Sequence, residues 1–292
     1  MPKFALLAVS FQHVFYGVVL GIVQGISEWL PISSKTQIII VSEALLKLNF
    51  SQAYAFGLFM EIGTISAAII YFRKELWSLI KVIIGRGNKL EWMLFKYVLV
   101  SMVFTGIIGA PLYLVVDSIT GSYNVGIPMV LVGAVLIIDA IVIKYARKRE
   151  AIPGNRKKLE QMGLKDYAVV GIAQGIAALP GVSRSGMTTS TLLLLNVDTS
   201  EAFRLSFIDM IFATSSAVAL TLVASRASIS SSIALVGGSG IAISIIIATI
   251  ISLFLIDFLL KIARKSSIIY LTAGLGVIAI LGGILAAIYG VV

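Results

Sequence analysis

A broken apolar segment occurs twice in this chain. Gln24-Gly-Ile-Ser-Glu-Trp-Leu-Pro-Ile-Ser-Ser-Lys-Thr-Gln37 returns, altered, as Gln174-Gly-Ile-Ala-Ala-Leu-Pro-Gly-Val-Ser-Arg-Ser-Gly186. Both copies begin Gly-Ile-x-Gln-Gly-Ile, at Gly21 and Gly171, an offset of 150, and both then reach Leu-Pro and a pair of serines. Proline lacks the N–H that an α-helix needs in its interior, so each copy reads as a short helix, a break rich in hydroxyls, and a second short helix. In a membrane chain, interrupted apolar segments at matching places in two halves point to a binding site at the interface between the repeats. The copies differ in one respect that matters for chemistry: the first carries a carboxylate, Glu28, and the second a guanidinium, Arg184.

Composition places both copies in a bilayer. The chain of 292 residues is 59% hydrophobic and 13% charged, with a mean hydropathy of +1.03, whereas a soluble protein carries roughly 25% charged residues. A span needs about 20 mostly apolar residues. Six stretches meet that length, near 53–72, 96–116, 126–145, 202–223, 232–259 and 268–290. The pieces at 8–29 and 36–47, and at 168–179 and 187–197, are mostly too short, and each pair reads as a re-entrant hairpin. Irregular backbone at that depth is tolerated where it is buried in protein or lines a wet cavity.

The net charge of +9 does not indicate nucleic acid, because 17 of the 23 lysines and arginines fall in three loops, at 73–96, 144–165 and 261–265. Two spans separate each of these loops from the next, so all three lie on one side, and the positive-inside rule makes that side cytoplasmic. Both termini are then external, with no cleaved leader expected. Three spans separate the two hairpins, an odd number, so the repeats are inverted. The fold expected is one all-α integral membrane domain over 1–292, with six transmembrane helices and two re-entrant helix pairs, its halves near 8–146 and 165–292. The chain has no cysteine, which excludes disulfides and thiolate metal sites.

Ser183-Arg184-Ser185-Gly186 has the makings of an oxyanion cradle. Arginine presents a planar fork of donors that matches phosphate oxygens, and a helix opening near Met187 would add unpaired N–H groups. Ser33-Ser34-Lys35-Thr36 is the partner cradle, opening a helix near Thr36. A serine hydroxyl attacks phosphorus only with a base nearby. Glu28, six residues before Ser34 across the Pro31 turn, can fold back as that base or as ligand to a hard cation. Glu61, Asp139, Arg204, Asp209 and Asp257 also lie in or near spans. Glu61 and Asp209 follow the two hairpins and are candidates to support Arg184, Lys35 or a metal. Asp139 and Asp257 read as structural ion pairs. The single histidine, His13, lies outside both motifs and reads as a core or interfacial residue. Trp29, Trp77 and Trp92 suit interfacial belts or hairpin packing.

Together, the Gln24–Ser34 stretch and Pro180–Gly186 resemble the two signature motifs of the bacitracin-resistance type undecaprenyl-diphosphate phosphatases, in order and spacing along nearly the whole chain. The resemblance implies a membrane phosphatase with an outward-facing site, converting a C55-type polyprenyl diphosphate to the monophosphate carrier lipid. It implies Ser34 as nucleophile beside Ser33, Glu28 as the motif glutamate and metal ligand, Arg184 with Ser183 and Ser185 on the diphosphate, and a divalent cation, Mg2+ or Ca2+. Three departures from the family pattern involve four positions. Gln24 stands where the family commonly has Glu, Lys35-Thr36 where it has Thr-Gly, and Gln37 where it has His. The lost carboxylate weakens the metal site, and Lys35 adds a cation that offsets diphosphate charge. These departures resemble an archaeal branch, for which the lipid could be dolichyl diphosphate. The same cradle also suits a polyprenyl-phosphate transporter that binds the head group without cleaving it.

Overall fold

The computed structural model describes residues 10–30, 34–48, 50–118, 156–179, 182–263 and 267–288, with isolated positions between 130 and 144. The described residues are helical almost throughout. Helix α1 (Phe11–Ser27) leads into α2 (Ser34–Leu46), and α3 (Phe50–Met60) runs into α4 (Ile62–Tyr71) through Glu61. The short charged helix α5 (Arg73–Ile83) precedes the long α6 (Lys89–Ser118). In the second half, α7 (Leu164–Ile176) leads into α8 (Arg184–Leu194), followed by α9 (Thr199–Ala224), α10 (Arg226–Ala263) and α11 (Ser267–Ile288).

Among the described residues, four apolar helical stretches are long enough to cross a bilayer: Gln52–Tyr71, Lys89–Val115, Thr199–Ala224 and Arg226–Ile262. They coincide with four of the expected spans. The expected span at 126–145 lies largely outside the described residues, and that at 268–290 overlaps α11, whose shorter apolar stretch is Gly276–Leu285. Helices α1 and α7 hold 17 and 13 residues, short of a full crossing; the sequence requires this of the 168–179 piece, whereas the 8–29 piece is long enough to span by length alone.

The two short helices are held by close backbone approach. Lipid tails are as apolar as leucine, so helices in a membrane associate through small residues and packing rather than by expelling water. A Cβ placed on Gly21 would lie 2.7 Å from the Ser244 carbonyl of α10, and one on its repeat mate Gly171 would lie 2.2 Å from the Ser101 carbonyl of α6. Each hairpin helix therefore seats on a long helix of the opposite half: α1 on α10 and α7 on α6. Helix α10 breaks at Gly237, where φ is 74°, a conformation that favours glycine. The ring of His13 occupies the space a side chain there would need, which makes His13 a packing residue, in line with the sequence reading.

Two buried apolar clusters flank the hairpins. One gathers Trp29, Tyr97, Tyr167, Phe203 and Phe207, with Trp29 edge-on to Phe207 at 5.1 Å. The other gathers Leu20, Ile38, Tyr54, Phe56, Met60 and Tyr113. Trp77 and Trp92 are exposed. Asp257 pairs with Lys261 one turn on, and Arg204 pairs with Glu75 and Glu201, so these charges are structural. Asp139 lies outside the described residues.

Candidate active site

The break after α1 brings its end against the start of α2. Glu28 is the residue that closes α1, with its N–H on the Gln24 carbonyl at 3.2 Å. Gln24 lies one turn back on the same face, and its Nε2 donates to Glu28 Oε2 at 2.9 Å. Ser34 opens α2, two residues earlier than the sequence placed the helix start, and its Oγ donates to that same oxygen at 2.6 Å. One carboxylate oxygen thus accepts from a fixed amide and from the hydroxyl it would deprotonate. All three side chains are buried.

The second break is built the other way round. Ser183 caps α8, its Oγ accepting from the Gly186 N–H at 3.2 Å, so the helix opens at Arg184, three residues before the expected Met187. Ser183 and Ser185 hydroxyls lie 3.3 Å apart. Arg184 is held by two elements of the fold: its Nη2 donates to Glu61 Oε1 at 2.7 Å and its Nη1 to the Thr214 hydroxyl. Glu61 sits where α3 gives way to α4 and is fully buried. Its other oxygen, Oε2, has no partner among the described residues.

Lys35 bridges the two hairpins. It follows Ser34 in the first turn of α2, is buried, and donates through Nζ to the Ala177 carbonyl. The next carbonyl, that of Ala178, accepts from the Tyr54 hydroxyl at 2.7 Å. Carbonyls that end a helix lack partners within it and attract cations. Glu28, Ser34, Lys35, Val182, Ser183, Arg184 and Ser185 line one small cavity of about 10 Å³. The N-terminal turns of α2 and α8 both face it, as suits an anion. A second, apolar cavity of about 280 Å³ shares Lys35 and Arg184 and extends past Leu58, Met102, Tyr113 and Leu220.

Most sequence candidates therefore meet in one place. Ser33 lies outside the described residues. Thr36 and Gln37 fall in the first turn of α2. Gly186 serves the cap of α8. Of the two carboxylates that follow the hairpins, Glu61 supports Arg184, but Asp209 turns elsewhere. It accepts from the Ser101 hydroxyl and from Gln174 Nε2, the latter at 3.0 Å. Sequence reasoning missed Thr214 and the Ala177 carbonyl. Neither carries a signal in a string of letters, because one is an ordinary helix threonine and the other a main-chain group.

The residues present do not suit a resident divalent cation. Among the described residues no three of His, Cys, Asp and Glu gather. Glu28 Oε2 already accepts two hydrogen bonds, Glu61 is paired with Arg184, and two fixed cations, Lys35 and Arg184, face those two carboxylates within electrostatic reach.

The chain matches the family model described as "Bacitracin resistance protein BacA" over residues 17–282. It is 50% identical over 278 residues to an undecaprenyl-diphosphatase of Saccharolobus solfataricus, covering 95% of this chain and 98% of that one. It is 44% identical to one of Sulfurisphaera tokodaii, covering 92% of this chain and 96% of that one. It is 36% identical to one of Pyrobaculum aerophilum, covering 93% of this chain and 97% of that one. Matched by the family model across most of its length and by such relatives nearly end to end, the chain belongs to the bacitracin resistance protein BacA family.

Proposed function

We propose that this chain is a membrane phosphatase that hydrolyses a polyprenyl diphosphate, of undecaprenyl or dolichyl type, to the monophosphate carrier lipid and phosphate. The observation that carries the reading is the hydrogen bond from Ser34 Oγ to Glu28, 2.6 Å long, in a cavity shared with Arg184. A nucleophile, its base and a phosphate-binding fork are thus preassembled, and the relatives named above are undecaprenyl-diphosphatases.

In the proposed reaction Ser34 Oγ attacks the terminal phosphorus as Glu28 takes its proton. The Oγ–P bond forms, the anhydride P–O bond breaks, the lipid monophosphate leaves with the electron pair, and Glu28 releases the proton it took to solvent, which returns it to the ionised form. Water then donates a proton to the ionised Glu28 and attacks the phosphoserine, and Ser34 departs and recovers the proton that Glu28 holds. Phosphoryl transfer needs mainly positioning and charge stabilisation. Arg184, Lys35 and the N–H groups of α2 and α8 provide both. The apolar cavity beside Lys35 and Arg184 takes the first isoprene units, and the rest of the tail lies in lipid. Gln24 holds Glu28 in its rotamer.

The finer architecture belongs to the same proposal: six spans, two re-entrant pairs in an inverted repeat, and an outward-facing site in the plasma membrane. The exchange of hairpins between halves, α1 on α10 and α7 on α6, supports it. The relatives bear the name of a hydrolase, and no observation favours transport without cleavage. The test is phosphate release from C55 polyprenyl diphosphate by purified protein in detergent. Release that disappears in Ser34→Ala supports the reading, and full release in both Ser34→Ala and Arg184→Ala overturns it.

A further inference from the structure

We propose that Lys35 is the cation of this active site in place of a divalent metal, so that this enzyme cleaves its substrate without a metal ion. The inference rests on the phosphatase reading. Lys35 is 3% exposed and reaches across from the first hairpin to the second, where its Nζ meets the Ala177 carbonyl. A buried ammonium is kept only where its charge is used or balanced. Among the described residues no carboxylate comes within 4 Å of it, whereas Arg184 is locked to Glu61 at 2.7 Å. The charge of Lys35 is therefore directed into the cavity that Ser34, Ser183 and Ser185 line, rather than consumed by an ion pair. An ammonium carries three donors, and the one bond described goes to a neutral acceptor.

The charges of the site close without a metal. Glu28, Glu61, Lys35 and Arg184 lie within electrostatic reach of one another and sum to zero. A divalent ion added to these four before substrate binds would have to sit next to two cations that cannot move away. Magnesium is normally held by one or two carboxylates together with substrate phosphates. Here one oxygen of Glu28 already holds an amide and a hydroxyl, and Glu61 is engaged with the guanidinium through Oε1, which leaves Oε2 as its one open oxygen. Relative to the motif pattern that this chain resembles, Gln24 removes one negative charge and Lys35 adds one positive charge. The two departures change the site by the charge of one divalent cation. A neutral Gln24 also suits the arrangement, since its Nε2 donates to Glu28 at 2.9 Å where a carboxylate would repel it.

The test pairs phosphate release with a metal-binding readout. Wild type, Lys35→Thr and the double variant Gln24→Glu/Lys35→Thr are purified in detergent. Each is assayed on C55 polyprenyl diphosphate with Mg2+, with Ca2+ and with EDTA, and each is titrated with Mn2+ by electron paramagnetic resonance. The expected result is wild-type release that EDTA leaves within about twofold and no stoichiometric Mn2+ signal. Lys35→Thr should lose about 10²–10³-fold, the usual effect of removing one charge stabiliser from a transition state. The double variant should bind one Mn2+ and regain activity only with added metal, which also shows that the substituted protein is folded. Wild-type release that needs Mg2+ or Ca2+, or a bound Mn2+ that Glu28→Gln abolishes, overturns this inference and leaves the phosphatase reading intact. Absence of release from wild type under every condition overturns both.

Discussion

Glu28 shows how much of the chemistry is decided by single atoms. Its Oε2 accepts both the Gln24 amide and the Ser34 hydroxyl, so Glu28→Gln keeps the shape of the site and removes the base. Its release rate should fall about 10²–10⁴-fold, the usual contribution of a positioned base, with little change in thermal stability in detergent. Arg184 and Glu61 behave differently, because their pair lies 9% and 0% exposed. Arg184→Ala leaves a buried carboxylate without its counter-charge and should cost about 3–5 kcal/mol of stability as well as activity. Thermal unfolding separates the two effects. The double variant Arg184→Met/Glu61→Leu should recover most of that stability and none of the phosphate release, since a buried ion pair can be replaced by apolar residues at small net cost.

At the scale of elements, the hairpin helices depend on glycines that admit a neighbouring backbone. Gly171→Ala would place a Cβ 2.2 Å from the Ser101 carbonyl. That atom is main chain and cannot rotate aside, so α7 must shift on α6. A cost of about 1–3 kcal/mol is expected from such overpacking. The same change at Gly106, where nothing lies within 4 Å of a Cβ, should be neutral or stabilising by up to about 1 kcal/mol through helix propensity. Comparing the two melting temperatures checks the argument, because both are single methyl additions to apolar helices. Ser183→Ala removes the cap of α8 and should cost about 1 kcal/mol. It also loosens the turn that presents Arg184, so release should fall together with stability.

For the whole molecule, the proposed inverted topology places residue 86 in the cytoplasm and residue 227 outside. The chain contains no cysteine, so Arg86→Cys and Ala227→Cys each introduce a single label site at an exposed position. In intact cells a membrane-impermeant thiol reagent should modify the second and spare the first. The opposite result would reverse the orientation and turn the site toward the cytoplasm. The four long apolar helices, the two short ones and the meeting of Glu28, Ser34, Lys35 and Arg184 were legible in the letters. Bilayer thickness sets span length, and a Pro-containing, hydroxyl-rich break announces itself locally. Helix starts were read two and three residues late at Ser34 and Arg184, because hydroxyls that cap or open a helix resemble loop residues in a string.

The sequence alone determined what sits at membrane depth and which two breaks carry charge, since hydropathy, proline and glycine act within a few residues. Which charge meets which was decided by tertiary structure. Arg184 finds Glu61 across 123 positions of chain, Lys35 finds the Ala177 carbonyl across 142, and Gln174 finds Asp209 across 35. Gln24 and Gln174 occupy equivalent places in the repeated motif, yet one donates to Glu28 and the other to Asp209. Part of the difference is local, since four residues on, the first repeat has Glu28 and the second has Ala178. The rest is tertiary: Gln174 reaches Asp209 of α9 where α7 rests on α6, whose Ser101 donates to the same Asp209 oxygen, and that is set by packing between the halves.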